Sequence, residues 1–215
     1  TESAILDGWI AAEGGDIDDE AVSISVTADE ITAKSAVLSM GSNSSVTLDG
    51  KDIFLTFTEE SEDGISPMAP TYVSAEYGGS LTIGTSRTDT VYVADSVEAY
   101  CYPFDDGGSD IAPSTVTMDG ASITVDKGVV ADGMYATVTI GGAGVTQTLT
   151  SDLTAENYGV LVATLSGAYT GDVLAYGGPW EEEESYIVPG GTLTVTAGSA
   201  TGNLTSTGAG STLTA

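Results

Sequence analysis

"VTLDGKDIFL" (46–55) alternates apolar and polar side chains on both sides of an Asp-Gly pair, and "VTMDGASITV" (116–125) repeats the pattern 70 residues later. Period-two alternation places one set of side chains on a buried face and the other in solvent. Asp-Gly tolerates the positive φ angles of a type I′ turn, so each stretch predicts a two-stranded hairpin. Six Asp-Gly pairs occur, at 7–8, 49–50, 63–64, 106–107, 119–120 and 132–133. "GGSLTI" (78–83) and "GGTLTV" (190–195) echo one another as well. These echoes fit either two related sheet motifs or convergence on good hairpin sequence, and convergence is the preferred reading.

Outward from the hairpins the same alternation recurs. Val22, Ile24 and Val26 share one face of "AVSISVTA", Leu193 and Val195 one face of "GTLTVTA", and Ala136, Val138 and Ile140 one face of "YATVTI". Ile53, Leu55 and Phe57 do the same in "DIFLTFT". Thr fills the solvent positions, where branching at Cβ favours the pleat. Helix signals are scarce: "TADEITAKSAVL" (27–38) carries a capping pattern with Thr27 and Glu30 and stays open between helix and strand, and "TSDLTAENYG" (150–159) reads as a loop with one helical turn. The expected class is all-β, with roughly fourteen short strands in an antiparallel β-sandwich or jelly-roll-like domain. Residues 1–20 form an N-terminal segment and 21–215 the sandwich, with 58–72 as a long loop.

Composition narrows the function. The chain holds 32 acids against Lys34, Lys51, Arg87 and Lys127, for a net charge of −28. Such a surface repels phosphates, which excludes nucleic acid as a partner. Hydrophobic residues at 41% exclude a disordered acidic chain. No apolar run reaches the length of a membrane span. Thr1 reads as a processed end, by loss of a signal sequence or of the initiator Met. An acidic, Lys-poor composition suits an extracellular or cell-surface location. Cys101 stands alone in "VEAYCYPF" and reads as a small buried hydrophobe.

Catalysis finds little support, because histidine is absent and no nucleophile elbow or phosphate loop occurs. A non-enzymatic protein is expected, with no catalytic residue. Calcium is the one cofactor the acids suggest, at Asp16 and Asp18 in "DIDDE" and at Asp105, Asp106 and Asp110 in "DDGGSD", where hard oxygen ligands cluster in flexible loops. "WEEEESY" (180–186) reads as an exposed loop. N-glycosylation patterns occur at Asn43-Ser-Ser and Asn203-Leu-Thr.

Both ends are strand-forming. "ESAILDGWIAA" (2–12) carries Ile5, Leu6, Trp9 and Ile10, and the tail "GNLTSTGAGSTLTA" (202–215) holds two Leu-between-Thr stretches. An apolar strand-forming end needs a groove, in its own sheet or in a neighbour's. Donation of the N-terminal strand to the next subunit does not close on itself and builds filaments. In architecture this resembles donor-strand filament subunits. The expectation is a pilus-like homopolymer: an extracellular structural glycoprotein that self-assembles into a filament or surface lattice. The alternatives are a virion structural protein (capsid or tail component) and a secreted carbohydrate-binding module, whose sign is an exposed row of Tyr and Trp.

Overall fold

In the computed structural model the chain is described at residues 2–15, 20–56, 73–101, 112–177 and 189–215. These residues hold strands and turns and no helix. Every strand pair is parallel, in one sheet of 14 strands and one of 8. The antiparallel sandwich is therefore corrected: the chain winds as a parallel β-solenoid with three faces.

One turn of the winding shows the principle. β10 (Ser114–Met118) lies on the first face, β11 (Ser122–Val125) on the second and β12 (Val129–Asp132) on the third. The next turn repeats it with β13 (Ala136–Ile140), β14 (Thr148–Thr150) and β15 (Leu153–Glu156), each parallel to its counterpart one turn earlier. Then come β16 (Val160–Thr164), β17 (Ala168–Thr170) and β18 (Val173–Tyr176), followed by β19 (Thr192–Thr196), β20 (Ser199–Thr201) and β21 (Leu204–Thr207). The last strand, β22 (Thr212–Thr214), returns to the first face beside β19. Towards the N-terminus the preceding turn is β7 (Ser80–Ile83), β8 (Thr90–Val93) and β9 (Val97–Tyr100). Two long strands, β3 (Val22–Ala33) and β5 (Ser44–Leu55), each bend through the corner and serve the first and second faces together. β4 (Val37–Met40) and β6 (Val73–Glu76) complete their turns on the third face. β1 (Ser3–Leu6) opens the second face and β2 (Ile10–Glu13) the third.

The Asp-Gly pairs explain the difference from the hairpin reading. A type I′ turn needs positive φ at both residues, and neither Asp49, Gly50, Asp119 nor Gly120 has it. These pairs sit at the corner between the first and second faces. Gly50 is chosen for room, since a Cβ there would lie 3.2 Å from the Ile31 side chain of the previous turn. Val46 and Val116 stand two turns apart in one stack, Val46–Leu81–Val116. "GGSLTI" and "GGTLTV" likewise enter the first face at β7 and β19. The echoes thus fall on equivalent positions of successive turns.

Alternation persists because each strand of a solenoid has one core face and one wet face. The first face stacks Val46, Leu81, Val116, Val138, Leu161 and Leu193, all fully buried. The third face repeats a large–small pair, Val73/Ala75, Val97/Ala99, Val129/Ala131, Leu153/Ala155 and Val173/Ala175, which fits a narrow interior. Cys101 is buried and unpaired, as its apolar setting implied. The 27–38 stretch is strand in β3 and β4, and "TSDLTAENYG" contains strand β15 and a turn rather than a helical one.

Candidate functional site

Acids are handled at the corners. Each of the four basic residues is paired: Lys34 with Asp7 at 2.8 Å, Lys51 with Asp89 at 3.4 Å, Arg87 with Asp49 at 2.7 Å and Lys127 with Asp95 at 3.1 Å. The Arg87 guanidinium holds the Asp49 carboxyl below its ordinary range. Elsewhere carboxylates cap the backbone of the following turn. Asp152 Oδ1 accepts the Asp172 N–H at 2.8 Å, and Asp172 Oδ1 accepts the Asn203 N–H at 2.8 Å. These bonds from Asn203 lower the Asp172 pKa.

The outer surface of the third face carries a row set by parallel register: Glu76, Tyr100, Asp132, Glu156 and Tyr176 on successive turns. Glu98 lies two residues before Tyr100 on the same surface. Burial, then the Asp132, Glu76 and Glu156 charges, push its carboxyl up to about 7. Burial and Asp132 raise Glu156 also. Beside this row, at the corner leading back to the first face, three tyrosines adopt left-handed backbone: Tyr77 (φ 48°), Tyr135 (φ 75°) and Tyr158 (φ 71°). Tyr77 meets Tyr100 edge-on, with centroids 5.5 Å apart. The Thr137–Val160 pairing makes Tyr135 and Tyr158 equivalents one turn apart, and both rings are exposed. This surface can accept hydrogen bonds from hydroxyls and offer flat apolar rings. The tyrosines were not singled out from the sequence; their spacing of 23 residues is the signal that would have found them.

β20, β21 and β22 are the last described strands of the three ladders. Leu204 occupies the core position stacked on buried Val173 and is 51% exposed. From Ser185 to Ala215 there is no Asp, Glu, Lys or Arg.

Of the N-terminal assembly residues, Ile5 (62% exposed) and Trp9 (55%) point to solvent. Leu6 packs against the core and Ile10 is buried. β1 and β2 pair with β3 and β4 of the same chain, so in this structure the segment belongs to its own solenoid and is not an exchanged strand. Asp16, Asp18, Asp105, Asp106 and Asp110, the 58–72 loop and "WEEEESY" lie outside the described residues. Among the described residues no three acids or thiols gather to hold a metal ion. Asn43 is exposed at a turn. Asn203 is exposed too, but its Nδ2 lies 3.1 Å from both Asp172 carboxylate oxygens, contacts that a glycan on that nitrogen would disturb. No helix among the described residues is long and apolar enough to cross a membrane. No family model, curated protein or solved structure matches this chain.

Proposed function

We propose that this chain is a non-enzymatic structural subunit that self-associates into an extracellular or cell-surface filament or lattice. The observation that carries the reading is a pair of large apolar side chains on the outer surface, Ile5 at 62% and Trp9 at 55% exposed, in a chain of −28 net charge. Covering such side chains stabilises association by about 1.5–3 kcal/mol for each one fully buried. Sedimentation velocity over a concentration series tests this. Association should grow with concentration and weaken in Trp9→Asp, whereas a monomer throughout contradicts the reading.

The tyrosine corner favours a second reading, a carbohydrate-binding face. A bulky residue at positive φ is held there against a cost that glycine would avoid, and two such rings stand exposed in register. Affinity electrophoresis in neutral polysaccharide gels tests it: retardation lost in the Tyr135→Ala/Tyr158→Ala pair supports the face, and unretarded wild type removes it.

A further inference from the structure

We infer that the outer surface of the first face binds ice, through a neutral array of Thr and Ser side chains whose two repeats match those of the crystal lattice. Ice binding is independent of the proposed self-association. Parallel register stacks the outward positions of successive turns into two columns. One column runs Thr47, Thr82, Thr117, Thr139, Val162 and Thr194. The other, two residues earlier on each strand, starts at Ser45 and holds Ser or Thr at every turn except Val160. Each of these positions is at least partly exposed and alternates with buried core residues. No charged residue stands in either column, although the chain carries −28. The other faces differ. Asp52, Phe54 and Tyr92 take outward positions on the second, and Glu76, Asp132 and Glu156 on the third.

Neighbouring strands lie about 4.8 Å apart, and alternate residues of a parallel strand about 6.6 Å apart. Water oxygens on a prism face of hexagonal ice repeat at closely similar distances in two perpendicular directions. Strand register therefore sets one hydroxyl after another over equivalent points of the crystal. Branching at Cβ stiffens each Thr, so its hydroxyl is confined to few positions before docking. Among the described residues the columns contain one internal hydroxyl bond, from Thr115 to Ser80 at 3.1 Å. The hydroxyls of Thr47, Thr82, Thr117 and Thr139 have no protein partner among those residues, and each is free to donate and accept. A single hydroxyl gains little, because it exchanges a bond to liquid water for a bond to ordered water. An array already set at the crystal's repeats gains at many points together without further ordering. The Thr methyls lose their contact with liquid water in the same step. A carboxylate on this face would have to shed its hydration against a neutral crystal, a cost the two columns avoid. A neutral polysaccharide fits the tyrosine corner better, since neither column offers a ring.

Ice affinity tests this directly. The full chain is frozen slowly onto a cold finger, the ice and liquid fractions are assayed for protein, and thermal hysteresis is measured on the same solution. Wild type should be enriched in the ice, with a gap between the melting and freezing points. Thr117→Lys and Thr139→Lys put charge and bulk in the middle of one column and should abolish both signals. Thr154→Lys, outward on the third face, should leave them intact. Thermal melts establish that each variant folds. Where a Lys variant does not melt cooperatively, Thr117→Tyr adds bulk without charge and should lose both signals. Wild type left in the liquid without hysteresis overturns ice binding, and so do Lys variants that match wild type. Equal loss in Thr154→Lys assigns the effect to charge in general and overturns the first face as its site. Sedimentation velocity runs in parallel. Thr117→Lys that weakens self-association, beside a wild type that ice does not capture, assigns the face to contacts between copies and overturns ice binding. Ice capture lost only in the first-face variants, with a monomer at every concentration, supports ice binding and contradicts the proposed self-association.

Discussion

Replacing Glu98 by Gln should stabilise the protein above neutral pH and erase a pH dependence of stability between about 4.5 and 7. Glu98 is half-buried on the third face with its carboxyl pushed up to about 7 from an ordinary 4.5, first by burial and then by Asp132, Glu76 and Glu156. A raised carboxyl means that the folded chain holds a proton which the unfolded chain releases. Stability is therefore highest below pH 4.5 as far as this group is concerned, and falls as pH rises to 7. The shift converts to about 3 kcal/mol at 1.36 kcal/mol per unit. Contact with solvent and screening reduce that to about 2 kcal/mol. Gln keeps the shape and removes the charge. In a chain of this size the gain at pH 8 corresponds to a Tm increase of about 4–8 °C. Thermal melts of wild type and Glu98→Gln at pH 5 and pH 8 should diverge only at pH 8. Equal Tm differences at both pH values would refute the carboxylate stack as the cause.

Three further outcomes follow from the same geometry. Tyr169 is buried, and its hydroxyl lies 2.9 Å from Ser151 O and 3.0 Å from Asp172 O. Tyr169→Phe leaves those carbonyls short of a donor and should cost about 1–2 kcal/mol in denaturant unfolding, so an unchanged midpoint would show that water serves them equally well. Tyr135→Gly and Tyr158→Gly relieve left-handed backbone and should each leave Tm unchanged or raised by the equivalent of up to about 1 kcal/mol; a clear loss of Tm would mean that the rings support the fold rather than face a ligand. With −28 charges per copy, self-association should strengthen from 0.05 to 1 M salt as the Debye length shortens, and weakening in sedimentation would point to attractive charge contacts at the joint.

Strand content and core faces were legible in the sequence, and strand direction was not. Ile53, Leu55, Val138, Ile140, Leu193 and Val195 are inside as the alternation required, because a half-buried strand reads the same in any sheet. The choice between a hairpin and a winding lay in the period. Val116 and Val138 are 22 residues apart and Val138 and Leu161 are 23, but 35 residues separate Val46 from Leu81 and 32 separate Leu161 from Leu193. Segments 57–72 and 178–188 fall within those longer intervals and hide the repeat. The 70-residue echo is two such lengthened turns. The tail's Leu-between-Thr pattern did mark a strand-forming end. The tyrosine corner was hidden, because a ring at positive φ has no signature within its own turn, and only the 23-residue spacing of Tyr135 and Tyr158 marks it.

The most direct test of self-association is electron microscopy of the purified chain at rising concentration. Filaments or an ordered lattice are the predicted result. Isolated particles at every concentration would contradict it.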